Sequence, residues 1–364
     1  MDVVTPEITQ NMTFSPIESG CYLPYAAYDI GSGATKYMGA IVNVCSLDID
    51  QVFAQGAIPV PYRMDLIHSE SNEFSDLIQE MGLETLMLAK RLIQKEYDTS
   101  GLTHHGDLQQ VGVATAAFRE ALNGQEFAEH IHQKLEISVR IISQEDEGIL
   151  AYYGALNQLE GTDLLETPIV WDIGGGSMQL TAKDPFDTFY MIGTDLASET
   201  FYALMMSQVL NKTVDETPYP MQTEEVQATI DLAKETLTFD LLAKEILDHK
   251  IAKGSPVLAV GAVHNFLVQP LCNFIVGESS NTFTKAGVLE AIALLTNKTE
   301  DQIIHTVPFL DKNFINNQLS SLILVYAMMD KMEIEKVRTV NVNNNHGLIL
   351  KWAATPIARL AYSG

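Results

Sequence analysis

Basic residues are scarce in this chain. Its 364 residues include 22 Lys and Arg against 47 Asp and Glu, a formal charge of −25, with a pI near 4.6. Nucleic-acid binders set Lys and Arg along phosphates, so this balance argues against a DNA or RNA partner. It leaves room for a small phosphorylated ligand, because a bound Mg²⁺ can screen one local site. Cysteine is scarcer still. Cys21, Cys45 and Cys272 are odd in number and have no CxxC spacing, which argues against a disulfide framework or a zinc centre. Buried free thiols in a reducing cytoplasm are the expectation. Met1 to Ser19 is polar and acidic and lacks the basic start and apolar centre of a signal peptide. The longest apolar stretch, Val257 to Val276, is interrupted by His264, Asn265, Gln269, Pro270 and Asn273. A strand followed by a helix is expected there, not a membrane span.

What the chain does contain is ordinary globular composition, 46% hydrophobic. Its length exceeds what one core usually serves, so two lobes are expected. The first 22 residues read as a flexible arm. Tyr25 to Ile30 and Tyr37 to Val44 read as strands joined by a Gly-rich turn. Phe74 to Lys95 has near-helical spacing at Leu77, Ile78, Met81, Leu88 and Leu92, with Thr85 interrupting the stripe. Gln110 to Thr115 and Val139 to Ser143 read as strands. Gly124 to Leu135 and Glu145 to Leu156 read as helices. Further on, helices are expected at Leu196–Val209, Thr223–His249, Ala286–Leu295 and Leu319–Met332, with strands at Pro256–Val260 and Val337–Val342. Pro308 to Asn317 reads as a loop. A closing helix is expected over 347–361, kinked or shortened by Pro356. This predicts an α/β chain with lobe I over 23–153, which the closing helix would join, and lobe II over 154–346.

One pattern occurs twice. Asp29-Ile-Gly31-Ser32-Gly33 ends the first strand. Asp172-Ile-Gly174-Gly175-Gly176-Ser177 ends the strand beginning at Pro168. A spacing of roughly 140 residues suggests a duplicated lobe and not a short-period solenoid. Glycine turns let backbone N–H groups converge on an anion. A strand-end Asp suits Mg²⁺, which takes oxygen ligands and keeps waters. Alone, either turn reads as a plain hairpin; as a pair, they suggest a phosphate chain held from two sides. Neither turn is a P-loop or a dinucleotide fingerprint, which both need a following helix. Arg119 and Asn123, in Val113 to Gly124, offer a bidentate phosphate contact and a hydrogen bond, or else a surface Arg at a helix start. Glu145, Asp146 and Glu147 open a helix. Dipole complementarity explains acids there; a water-activating carboxylate is the other reading.

These four segments, in this order, resemble the exopolyphosphatase / guanosine-pentaphosphate phosphohydrolase (Ppx/GppA) family. The match is dense from about Tyr25 to Leu180 and loose beyond. The resemblance implies the actin/hexokinase/heat-shock-chaperone superfamily: two ribonuclease H-like (actin-like ATPase) lobes with the active site in a central cleft. It implies Glu147 as general base, and Asp29 and Asp172, with Glu147, as acids working with Mg²⁺. It implies Gly31, Ser32, Gly33, Arg119, Asn123, Gly174, Gly175, Gly176 and Ser177 as phosphate-binding positions. The implied reaction is attack of water on a terminal phosphoanhydride of polyphosphate or guanosine penta-/tetraphosphate. Family members also suggest a homodimer.

The chain departs from the family pattern in four places. Gly33-Ala34 replace Asn-Ser, and Met178-Gln179 replace Thr-Glu. Gly261-Ala-Val-His264-Asn265 lacks a second glycine and a hydroxyl, and Asn343-Asn-Asn-His346-Gly347 lacks the Arg of a Leu-Arg-Glu-Gly run. These losses keep open a divergent, nearly inactive protein that binds or senses a phosphorylated ligand. A kinase of the same superfamily fits less well, since Gly261-Ala262 is a poor adenine-ribose loop. His264 and His346 are expected to be satisfied core or surface histidines.

Overall fold

Buried strands set the frame. The computed structural model describes residues 21–159, 167–310 and 312–354. Strand β1 (Tyr22–Ile30) is buried from Pro24 onward. It pairs antiparallel with β2 (Ala34–Asn43), which pairs antiparallel with β3 (Asp48–Pro59). On its other side β1 runs parallel to β4 (Gln109–Ala114), and β4 runs parallel to β5 (Ser138–Ile141). The strand order is β3-β2-β1-β4-β5.

The second sheet repeats the plan. Strands β6 (Ile169–Ile173), β7 (Met178–Lys183) and β8 (Phe189–Thr194) form an antiparallel meander. β9 (Val257–Val260) runs parallel to β6, and β10 (Thr282–Thr284) and β11 (Lys336–Thr339) complete the order β10-β11-β9-β6-β7-β8. Two meanders, each extended by parallel strands, give the two-lobed α/β architecture. Parallel strands need both faces covered, and helices cover them here. Among the described residues no helix is long and apolar enough to cross a membrane.

One helix joins the sheets, and a second packs against it on the first sheet. The helix Gln144–Asn157 places Leu150 in a cluster with Tyr25, Ala27, Met38, Val111 and Val113 of the first sheet. Its Ala151, Tyr152 and Ala155 pack with Val170, Leu258 and Val260 of the second. It runs unbroken through positions 153 and 154, where the sequence reading divides the lobes. The closing helix Asn344–Ala354 adds Leu348, Ile349 and Ala353 to the first-sheet cluster. The expected continuation to 361, including Pro356, lies outside the described residues, as does the arm up to residue 20.

Several expectations need correction. Cys21 and Cys45 form a disulfide, because β1–β2 pairing brings the start of one strand to the end of the other. Cys272 alone is a free buried thiol. Tyr22 belongs to β1, not to an arm. The helix Asp76–Thr99 buries Ile78, Gly82, Thr85, Leu86, Ala89, Ile93 and Tyr97, so Thr85 lies on its inner face and Leu77 and Leu88 are exposed. The stripe was offset because apolar exposed residues resemble core residues in sequence. Thr223–His249 divides into Thr223–Thr236 and Leu241–Ala252. Buried Leu237 anchors the break, and the Asp240 carboxylate accepts from Ala243 N–H to start the second helix. In 308–317, a helix already begins at Ile315.

Candidate active site

The two Asp–Gly turns are built alike. Gly31 N–H donates to Ala34 carbonyl at 3.0 Å, and Gly174 N–H donates to Ser177 carbonyl at 2.9 Å. Each follows a buried strand, so Asp29 and Asp172 are themselves buried. The turns face each other closely. A β-carbon on Gly175 would come 3.1 Å from Ser32 Cβ, and one on Gly176 would come 2.7 Å from Ser32 Oγ and 2.9 Å from Ala116 Cβ. Glycine is needed at these positions for proximity.

Antiparallel pairing sets Lys36 opposite Asp29. Its Nζ lies 3.2 Å from Asp29 Oδ2. Burial alone would lower the Lys36 ammonium, but Asp29, Asp172 and Glu147 outweigh it and hold it above the usual lysine range. Burial raises Asp172 to about 6, with Lys36 opposing and Asp29 adding to the rise. Gly261 sits at φ +88°, and a β-carbon there would come 2.7 Å from Asp172 Oδ1. The third turn therefore closes beside Asp172 and requires glycine both for its left-handed backbone and for the space.

Glu147 lies in the first turn of Gln144–Asn157, whose N-cap Ser143 accepts from Asp146 N–H. It is 4% exposed. Arg119 Nη1 donates to Glu147 Oε2 at 2.9 Å and to the Ile142 carbonyl at 2.9 Å. Arg119 Nη2 donates to Ser177 Oγ at 3.2 Å, and Ser177 Oγ lies 3.3 Å from Glu147 Oε2. Residues from both turns' lobes thus meet on one carboxylate. Burial raises Glu147 to about 7 against the lowering field of Arg119, with Asp172 and Asp29 adding to the rise. A carboxylate of that affinity both holds and releases a proton near neutrality.

The residues fit Mg²⁺ in its usual manner. Asp29 Oδ1 is buried without a partner, and the donors are carboxylate oxygens. Among the described residues no three His, Cys, Asp or Glu side chains form an all-protein metal cage. Asp29 and Asp172 are the residues that would hold such a cation.

Asn123 is not brought to the cleft. Its Oδ1 accepts from Phe74 N–H at 2.8 Å and its Nδ2 donates to the Phe74 carbonyl at 2.9 Å. The amide clips two segments together, which uses the groups a phosphate contact would need. His264 and His346 are buried, and burial lowers them to about 3 and about 4. His264 is not satisfied: neither ring nitrogen has a hydrogen-bond partner, and the ring packs on Trp171 with centroids 4.6 Å apart. Gln179, opposite Asp172 in the β6–β7 register, is buried with both amide atoms unpaired.

Three residues near the turns escape sequence reasoning. Lys36 left a usable signal, since hairpin register sets it opposite Asp29. Arg63 donates its backbone N–H to the Ser32 carbonyl at 2.9 Å and pairs with Glu120. Glu199 reaches both glycine turns from the helix Ser198–Gln208. Nothing local marks either of these two.

Comparison with known proteins gives a family and a fold. The Ppx/GppA phosphatase family profile matches residues 104–355. A Ppx/GppA family member from Aquifex aeolicus superimposes with TM-score 0.65 at 15% identity, covering 91% of this chain and 97% of that one. An exopolyphosphatase from Cytophaga hutchinsonii gives TM-score 0.66 at 12% identity, covering 91% and 97%. An exopolyphosphatase-like protein gives TM-score 0.66 at 15% identity, covering 91% and 98%. At these identities the likeness is one of fold: paired ribonuclease H-like lobes around a cleft.

Proposed function

The chain belongs to the Ppx/GppA phosphatase family, and from that premise we propose that it is a Mg²⁺-dependent phosphohydrolase. It would remove the terminal phosphate from polyphosphate or guanosine penta-/tetraphosphate. The observation that carries this reading is the buried Glu147 carboxylate held by Arg119 and Ser177 beside the two Asp–Gly turns. Backbone N–H groups of Ser32, Gly33, Gly175 and Gly176, with the side chains of Ser32, Ser177 and Arg119, bind and orient the terminal phosphate, while the Gly31 and Gly174 N–H groups close the turns. Glu147 takes a proton from water as the water oxygen bonds to phosphorus and the bridging P–O bond breaks. The shortened phosphate leaves with that bond's electrons. Lys36 balances the charge of Asp29 and Asp172. Mg²⁺ held by these two aspartates, with Glu147 nearby, would neutralise charge on the phosphate oxygens. Positioning and electrostatics supply most of the rate.

The acidic surface favours a short or nucleotide substrate over a long polyphosphate, which needs a basic track. Phosphate release from guanosine pentaphosphate, tripolyphosphate and long polyphosphate, with Mg²⁺ and with EDTA, tests the reading. Faster release from the short substrates, abolished by EDTA, is expected. No release from any of them with Mg²⁺ refutes it.

Arg119→Met has two expected effects. It removes a phosphate contact, lowering kcat/KM on the order of a hundredfold. It also removes the field that lowers Glu147, so the acidic limb of the pH–rate profile moves to higher pH. A pH–rate series reads both, and an unmoved limb separates Arg119 from Glu147.

A second reading rests on Gln179, whose neutral amide stands opposite Asp172. A protein lacking that acid could bind a guanosine polyphosphate without cleaving it. Calorimetric binding at millimolar Mg²⁺ with no phosphate released would favour this reading. A homodimer stays part of the proposal on family grounds; the cytoplasmic expectation rests on free cysteines and on a start without signal-peptide features, and the Cys21–Cys45 disulfide removes the first of these supports.

A further inference from the structure

We propose that Glu199 makes phosphate capture by the two glycine turns conditional on an accompanying divalent cation. The inference deepens the phosphate reading above and rests on it. The helix carrying Glu199 is locked to the second turn: Ser198 and Glu199 N–H donate to the Gly174 and Gly175 carbonyls at 3.1 and 3.0 Å, and Ser198 Oγ donates to Gly174 carbonyl at 2.9 Å. From there the side chain lies across both turns. A β-carbon on Gly33 would overlap Glu199 Oε1, and one on Gly175 would come 2.8 Å from Oε2. Glu199 therefore occupies the space that glycine leaves open in each turn.

Its neighbours offset it only in part: burial raises it and Arg63 opposes that rise without cancelling it. Asp29 is paired with Lys36 and Glu147 with Arg119. Asp172 lies in the Lys36 field. Glu199 Oε2 is buried with no hydrogen-bond partner. Arg63, whose field acts on it, is already paired with Glu120. Burial raises Glu199 to about 7, as expected for a carboxylate poorly compensated by cations. A bare phosphate entering the turns meets this carboxylate at close range, where solvent screening is weak. A phosphate that brings Mg²⁺ supplies the missing positive charge, and Glu199 then favours it. The residue would thus select cation-complexed phosphoanhydrides over free anions in the same turns.

The test is calorimetric binding of imidodiphosphate, which is not hydrolysed, at pH 8 in EDTA and in Mg²⁺. The wild-type chain should bind in Mg²⁺ and at least tenfold more weakly in EDTA. Glu199→Gln should gain about tenfold in EDTA affinity and lose most of the difference between conditions. Glu199→Asp, which keeps the charge, should retain the cation requirement. A gain of binding cannot come from misfolding; if Glu199→Gln does not fold, Glu199→Ala carries the same readout. If the wild-type chain binds in Mg²⁺ and neither neutral variant gains affinity in EDTA, this inference falls and the phosphate reading stands. If the wild-type chain does not bind even in Mg²⁺, both fall.

Discussion

Glu147→Ala should reduce phosphate release by about 10²- to 10⁴-fold, the range spanned by loss of a positioned general base. KM should change much less, because Arg119, Ser177 and the glycine turns still hold the phosphate. The pH profile gives a sharper signature. Glu147 is raised to about 7 mainly by burial, and only its ionised form accepts a proton from water. The wild-type rate should therefore climb through about pH 7 and level off above it. The residual rate of Glu147→Ala should lose that limb. Glu147→Gln, which keeps the shape, should behave as Glu147→Ala does. Activity within about threefold of wild type in either variant would remove Glu147 from the base role. Unfolding must be checked separately, since the substitution takes away the carboxylate that pairs with Arg119 and leaves only the Ile142 carbonyl and Ser177 Oγ.

Gly347→Ala should cost about 3 kcal/mol of stability, more than most single substitutions, without touching any group that contacts phosphate. A β-carbon at Gly347 would fall on the Leu150 carbonyl oxygen, 2.6 Å from its carbonyl carbon and 2.8 Å from its Cα. These are backbone atoms of the helix Gln144–Asn157, so no side-chain rotation relieves the overlap. The closing helix and the Glu147 helix must separate by roughly an ångström, and displacements of that size in catalytic groups cost about a hundredfold in rate. Thermal denaturation should show a melting temperature lower by about 5 °C or more. Activity measured well below that temperature should fall as well, because Glu147 is one turn from Leu150. A melting temperature within about 1 °C of wild type would show that the two helices yield without cost.

Much of the cleft was legible in the sequence because its parts are local. An Asp at a strand end followed by glycines is a contiguous pattern, and its recurrence pointed to two similar lobes. Arg119 and Glu147 lie in short segments whose order matches a family, and the fold brings these two residues together with Ser177. Asn123 shows the limit of such transfer. Its place in the motif is right, but its amide is consumed by Phe74, a contact across 49 positions that no local pattern announces. The cysteines failed for the same reason. Counting and spacing pointed to free thiols, while antiparallel pairing of β1 and β2 brings Cys21 to Cys45.

By itself, the sequence determined the α/β class, the duplicated Asp–Gly turns and the strongly acidic net charge, since each follows from composition or from residues adjacent in the chain. Tertiary structure alone decided which charges face one another. The pairing of Lys36 with Asp29 depends on strand register. The raised affinity of Glu147 depends on desolvation between two sheets. The position of Glu199 across both turns depends on a helix some 170 residues from the first turn docking against the second. Charge interactions act through space and are strongest where water is excluded, so they became visible only once the two lobes were set together.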